Sequence, residues 1–214
     1  MNRDFEIKQL LRAYRNGILS EAAFAEEIER FERESHEQGR AENAGFQAFG
    51  RRFGSEQEAV VSFLDDLRAT QTEDAIAFAK WAGVCRTKGL RTGLAMVAER
   101  DAYHARIFER RLQELGGEAR AAGNEEGTKL AELLARSDVP DIEKLVFITS
   151  RMGDPKEAVK PILQFASLLR QDIETRQALR LLAEDQMSTI GWLHELCAAI
   201  AMVHHNPPSE SQPD

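Results

Sequence analysis

The stretch Leu94–Leu115, which is closed by a Gly-Gly pair, constrains the fold more than any other part of the chain. At helical spacing, in steps of three, four or seven residues, the stripe that passes through it reads Leu90, Leu94, Val97, Asp101, His104, Phe108 and Leu115. This spacing predicts a helix with one face packed into a hydrophobic core. Asp101 and His104 lie within that face, three residues apart, where burial is costly unless the two groups pair or bind a metal.

Two further stretches carry regular apolar stripes of the same period. One comprises Leu64, Leu67, Gln71, Asp74, Phe78, Trp81 and Cys85, and the other Leu179, Leu182, Gln186, Thr189, Leu193, Leu196 and Ile200. Residues 141–170 add a helix that Gly153-Asp154-Pro155 interrupts, with Asp154 as the expected N-cap and Pro155 in the first turn. No strand-like alternation is present. The pattern predicts an all-α chain with two long antiparallel hairpins, joined by a longer crossover over residues 118–140.

Composition excludes several classes of function. Hydrophobic residues make up 43% of the chain, charged residues 30%, and the net charge is −8. An acidic chain of this kind is a poor match for nucleic acid or for an anionic membrane surface, and no apolar run is long enough to span a bilayer. The N-terminus lacks the apolar core of a signal peptide, and Cys85 and Cys197 are expected to be free thiols. These features predict a cytoplasmic protein.

The N-terminal residues 1–35 form a separate unit, predicted to be a helical hairpin in which Ser20 caps the second helix. The run LLRAYRNGILSEAAFAEEIERF resembles the short SHOCT-type two-helix module, a resemblance that implies a role in oligomerisation. The alternative is a hairpin that docks on its own chain. Residues 36–54 are charged and punctuated by glycine, which predicts a linker, and residues 204–214 are predicted to be a disordered tail.

Two motifs within residues 55–203 carry a second resemblance. AERDAYHARIFERRLQELGG resembles the second metal-binding helix of rubrerythrin and related ferritin-like proteins, and LLAEDQMSTIGWLHEL resembles their fourth helix. The resemblance implies a ferritin-like antiparallel four-helix bundle in which each of these helices supplies a Glu-x-x-His pair to iron. Here Asp101 and His104 stand at the first pair, while Gln186 and Thr189 stand at the second.

Antiparallel pairing locates the remaining candidates. Asp101 and His104 follow the first hairpin turn by about 14 to 17 residues, so their partners lie about as far before it, at Gln71 and Asp74. The same argument about the second hairpin points to Asp154. Asp101, His104, Asp74 and Asp154 are therefore the candidate metal ligands. Neutral groups stand at Gln71, Gln186 and Thr189, where they can hydrogen-bond an Asp–His pair without a metal.

Two functional hypotheses follow. The first is a non-catalytic ferritin-like module that has lost most of its di-metal site and acts through assembly or partner binding, as a homo-oligomer and most simply a dimer. It needs no cofactor. The second is a rubrerythrin-like oxidoreductase that handles peroxide at an altered site containing iron or another divalent metal. The neutral residues Gln71 and Gln186 favour the first hypothesis, and the Asp101-x-x-His104 pair favours the second.

Overall fold

A computed structural model of the chain describes residues 45–205, with side chains up to residue 201, and a few earlier positions: Ser20, Ala23, Phe24, Glu26 and Glu29. The chain divides between Ser55 and Glu56 into two units, which are described separately. In the first unit, the Ala23 N–H donates to Ser20 Oγ at 3.3 Å, so Ser20 caps the helical residues after it, as predicted. The rest of the predicted N-terminal hairpin lies outside the described residues.

Part of the segment expected to be a linker forms a two-stranded antiparallel hairpin, β1 (Phe46–Ala48) and β2 (Arg51–Phe53). Phe49 and Gly50 join the strands, with φ angles of +52° and +69°. Two successive positive φ values give a turn whose twist matches that of the flanking strands, and Gly50 adopts such a φ without strain. The sequence does not predict this hairpin because Phe49 is not a residue that normally indicates such a turn.

In the second unit the described residues form six helices, so the fold is all-α, as predicted. The first three are α1 (Glu56–Val84), α2 (Lys88–Glu114) and α3 (Glu125–Ala135). The others are α4 (Asp141–Met152), α5 (Pro155–Leu168) and α6 (Ile173–His205). The break between α4 and α5 falls at Gly153-Asp154, because Pro155 lacks an N–H and suits only the first turn of a new helix.

The helices α1 and α2 pack side by side as an antiparallel hairpin. The turn between them spans only three residues, and at the far end Gln57 Nε2 donates to Leu115 O at 2.8 Å, joining the start of α1 to the end of α2. The helix α3 packs against α1, with Arg68 Nη2 donating to Ala121 O at 2.5 Å just before α3 begins.

The helix α6 runs antiparallel to α4 and α5. Near the turn, Arg176 Nη1 donates to Leu169 O at 3.4 Å, and farther along His194 Nε2 lies 2.9 Å from Gly153 O. The helix α6 also packs against α2, opposite the stretch that contains Asp101. As a result α6 lies between α2 on one side and the interrupted pair α4 and α5 on the other.

One hydrophobic cluster is shared by five of these helices, α5 being the exception. Its buried members include Phe78, Trp81, Leu90, Leu94, Val97, Leu134, Leu145, Ile148 and Leu193. Most apolar positions of the predicted stripes are buried, whereas Leu67, Leu115, Leu196 and Ile200 are partly buried. The stripes therefore identify the face of each long helix that points inward. None of the helices in the described ranges combines the length and hydropathy required to cross a lipid bilayer.

Candidate functional site

The helix α2 buries both polar residues of its stripe. Asp101 is 7% exposed and His104 is 1% exposed. Although they are three residues apart on one helix, their side chains meet different surroundings. Asp101 lines a partly open cavity, whereas His104 pairs with a carboxylate on α6. The candidate site therefore consists of two neighbouring parts.

The first part is a hydrogen-bonded network between α2 and α6. His104 Nε2 lies 2.8 Å from Asp185 Oδ2, and Arg100 Nη1 lies 3.4 Å from Asp185 Oδ1. Arg100 Nη2 also donates to Thr189 Oγ1, and that hydroxyl donates to the backbone O of Asp185 at 3.0 Å. Each oxygen of the Asp185 carboxylate thus has a partner on α2, and the imidazole and the guanidinium contact the same carboxylate.

The second part is a cavity of about 220 Å³, here called the acidic cavity. Its polar lining is Thr70, Asp74, Asp101, Gln186 and Thr189, and its apolar lining is Phe78, Met152, Ala158 and Ile190. Four of the seven residues proposed from the sequence therefore meet here: Asp74, Asp101, Gln186 and Thr189. The antiparallel register of α1 and α2 brings the first two together, as the distance from their turn predicts.

Burial raises the pKa of both cavity carboxyls, and neighbouring negative charges raise each of them further. The pKa of Asp74 rises to about 6, first because burial disfavours the charged form and then because Glu73 lies nearby. The pKa of Asp101 rises to about 8 through burial and the charges of Asp74 and Asp185, against the opposing effect of Arg100. At pH 7 the Asp101 carboxyl is mostly protonated and can donate a hydrogen bond, while Asp74 is mostly ionised.

Gln71 is fully buried on α1, and neither atom of its amide has a hydrogen-bond partner in the described part of the chain. It is not among the residues that line the acidic cavity. The sequence-based hypothesis that Gln71 helps to satisfy the Asp101–His104 pair therefore has no contact to support it in the structure. A buried amide without partners is instead a source of instability.

Asp154 lies outside the site. It is exposed at the N-terminus of α5, where Oδ1 accepts from the backbone N–H groups of Lys156 at 2.9 Å and Glu157 at 3.2 Å. The counting argument placed it opposite Gln186 and Thr189 of the second hairpin, but the break between α4 and α5 directs its carboxylate to the open helix end. Its expected role as N-cap is confirmed, and it does not join the other candidates.

Sequence reasoning missed two site residues, Arg100 and Asp185. Each immediately precedes a proposed position, Asp101 or Gln186, and so falls beside the apolar stripe where charged residues usually face solvent. The one available signal was their opposite charge on two helices already expected to lie near each other. Within residues 45–201, no group of three or more His, Cys, Asp or Glu side chains is arranged to hold a metal ion.

Comparison with known proteins identifies no relative: no protein-family model, curated protein or solved structure matches the chain.

Proposed function

We propose that this chain is a ferritin-like helical bundle that acts through assembly of copies or binding to a protein partner, and not through di-metal chemistry. The order and packing of the helices support this architecture. Three long helices, α1, α2 and α6, and the consecutive helices α4 and α5 provide four helical segments, and α3 lies in the long connection. One long crossover between two antiparallel hairpins is the connectivity of the ferritin-like class.

The observation that carries the functional part is the position of the Arg100 guanidinium. It lies 3.4 Å from Asp185 and bonds Thr189, beside the histidine that the rubrerythrin resemblance assigns to iron. A fixed positive charge at that carboxylate supplies the charge balance that a dication would otherwise provide, and it repels such an ion. Arg100 thus favours a metal-independent network.

The donor set agrees with this proposal. A di-iron centre requires about four carboxylates and two histidines that converge in the bundle core. Here the cavity offers two carboxyls, Asp74 and Asp101, while His104 is engaged by Asp185 and the second expected Glu-x-x-His pair is replaced by Gln186 and Thr189. These residues do not fit a di-iron centre.

Metal analysis tests the proposal directly. After anaerobic loading with Fe(II) and desalting, we expect no stoichiometric iron in the full-length protein. Because Arg100 balances the Asp185 charge, R100M should bind more metal than the native chain, whereas R106M, an exposed position on the same helix, should not. About two irons per chain, lost in H104A, would contradict the proposal.

A specific observation supports a second candidate, a protein with a single divalent cation at an altered site. Asp74 and Asp101 face one cavity with Gln186, and each carboxyl has a raised pKa because burial disfavours its charged form. A bound cation would offset that cost. In this candidate Asp74 and Asp101 would hold the ion, and the cation would supply Lewis-acid or redox chemistry. About one metal per chain, lost in D74N and in D101N but kept in H104A, would favour it.

The assembly part of the proposal needs its own experiment. If residues 1–35 are the association element, deleting them should lower the mass measured by light scattering while the helical circular dichroism of the bundle persists. An unchanged mass would show that the segment has no such role. A full-length chain that is monomeric at every concentration would leave partner binding as the remaining mode of action.

A further inference from the structure

A second and larger cavity lies on the outer side of the contact between α2 and α6. This α2/α6 groove has a volume of about 590 Å³, within the range of small-molecule sites. The lining that matters here is Gly93, Met96, Arg100 and Tyr103 from α2, with Thr189 and Trp192 from α6. Thr189 lines both this groove and the acidic cavity, so the Arg100 network forms the wall between them.

The apolar part of the groove combines side chains that are exposed to solvent with one aromatic ring that is held in place by its neighbours. Met96 is 67% exposed and Tyr103 is 51% exposed, although both side chains are large and apolar in character. Trp192 packs against the hydrophobic core, and its ring lies so close to Gly93 that any Cβ there would overlap it. A preformed aromatic wall beside exposed apolar side chains suits an elongated apolar or aromatic body.

The polar part is Arg100, the one cation among the described residues that line the groove. Asp185 and Thr189 hold its guanidinium through two of its five N–H groups, and its side chain remains 30% exposed. A guanidinium fixed in this way loses little entropy on binding a further acceptor, and it is shaped to receive a carboxylate through two N–H groups.

Charge limits the ligand further. Glu99 lines the rim of the groove, and the whole chain has a net charge of −8, so a ligand with several negative charges would be repelled. We propose that the α2/α6 groove binds an amphipathic monocarboxylate, with Arg100 holding the carboxylate and Met96, Tyr103 and Trp192 packing on the apolar body. This assignment does not depend on the assembly proposed above.

Three probes with the same chain length separate the two parts of the site. Dodecanoate, dodecanol and dodecyltrimethylammonium are titrated into the full-length protein, with calorimetry and tryptophan fluorescence as readouts. The two ionic probes are kept below their micelle concentrations and the alcohol below its solubility limit. We expect one dodecanoate per chain, bound about tenfold or more tightly than the alcohol, because the carboxylate adds charged hydrogen bonds. Equal affinity for all three probes, tighter binding of the cation, or no saturable binding would overturn the proposal.

Matched variants test which residues of the groove bind the carboxylate and the apolar body of the probe. R100Q should reduce the affinity for dodecanoate about tenfold or more and leave that for dodecanol unchanged, while E99Q, at the adjacent exposed position, should not weaken it. M96E should also weaken dodecanoate binding relative to M96Q, because it places a second carboxylate in the groove. Met96 is largely exposed, so this pair tests the site even if R100Q fails to fold. Unchanged dodecanoate affinity in R100Q or in M96E would contradict the assignment.

Discussion

Asp101 is the residue at which burial and charge oppose each other most directly. Its carboxyl is nearly inaccessible to solvent, and Asp74 and Asp185 are close enough to raise its pKa, while Arg100 opposes them. Folding therefore favours the protonated form. Between the usual aspartate pKa of 3.8 and the folded pKa of about 8, the folded chain binds more protons at this position than the unfolded chain. The contribution of Asp101 to the free energy of unfolding therefore falls as pH rises through this interval.

We expect D101N to remove most of this pH dependence. Each pH unit between the two pKa values weakens the native protein by about 1.4 kcal/mol, so D101N should be the more stable form at pH 9, with a smaller difference at pH 5. Urea denaturation from pH 5 to pH 9 measures the effect. D66N, at an exposed position of α1, is the matched control and should follow the native curve. Parallel curves for D101N and the native chain would contradict the raised pKa.

The residue pattern predicted which residues lie near one another in this site better than it predicted which of them form hydrogen bonds. Asp74 and Asp101 line the same cavity because antiparallel helices place residues equally distant from their turn side by side. The hydrogen-bond partners of a buried polar group depend on side-chain rotamers and on the positions of neighbouring helices. The periodicity of one helix does not specify either of these. Gln71, His104 and Asp185 show the difference, because the first has no hydrogen-bond partner in the described chain and the other two pair with each other.

At the scale of elements, Asp141 ties three helices together. It is the first residue of α4, and its Oδ1 accepts from Trp81 Nε1 of α1 at 3.0 Å. Its Oδ2 accepts from the backbone N–H groups of Arg86 and Thr87 at 3.0 and 3.2 Å, in the turn before α2. These hydrogen bonds favour the ionised form and hold the pKa of Asp141 below its usual value, against the effect of burial. One carboxylate thus completes the α1–α2 turn.

We expect D141A to destabilise the protein by about 2 to 3 kcal/mol at pH 7, because charged hydrogen bonds are lost and the turn N–H groups are left unpaired. Since the folded pKa is lowered, this stabilisation is present above the unfolded pKa and is lost as pH falls through the folded pKa. The difference between D141A and the native chain should therefore shrink in acid. Thermal denaturation at pH 7 and in acid measures it. E143Q, exposed in the same first turn, should have little effect, and an equally large loss there would contradict the argument.

Element boundaries show where sequence patterns succeed and where they fail. The interruption at Gly153-Asp154-Pro155 was predictable because proline restricts the backbone and aspartate caps a helix by a local hydrogen bond. The β1–β2 hairpin was not, since its turn places Phe49 at a positive φ, which no propensity favours. Asp141 lies between these cases: its place after Pro140 indicates a helix start, but its attachment to a distant turn depends on tertiary packing.

At the scale of the whole molecule, the contact between α2 and α6 combines apolar packing with hydrogen bonds between charged and hydroxyl side chains. Besides the Arg100 network, Arg111 at the end of α2 bonds the start of α6, with Nη2 at 2.9 Å from Asp172 and Nε at 3.2 Å from Thr175 Oγ1. We infer that the Arg100 and Arg111 hydrogen bonds hold α6 against α2 at two separate places, so that one group of bonds can be lost without the other.

We expect R111M to loosen the first turns of α6 without unfolding the bundle. Hydrogen exchange there should accelerate about tenfold or more, because charged hydrogen bonds that close this end are lost, while exchange in α1 should not change. Mass spectrometry of exchanged peptides reads both regions at once. R110M is the adjacent control, since Arg110 is mostly exposed and pairs with Glu114 of its own helix. If hydrogen exchange accelerated evenly in all helices, the effect of Arg111 would not be confined to the start of α6.

The close approach of Gly93 and Trp192 has a consequence for how sequences of this kind can diverge. Position 93 has no room for a side chain while an indole ring occupies position 192. An alanine at 93 requires either that the indole ring of Trp192 moves or that a smaller residue takes its place. Among descendants of this chain the two positions should therefore covary, so an alignment of such descendants would reveal the α2–α6 contact from sequence alone.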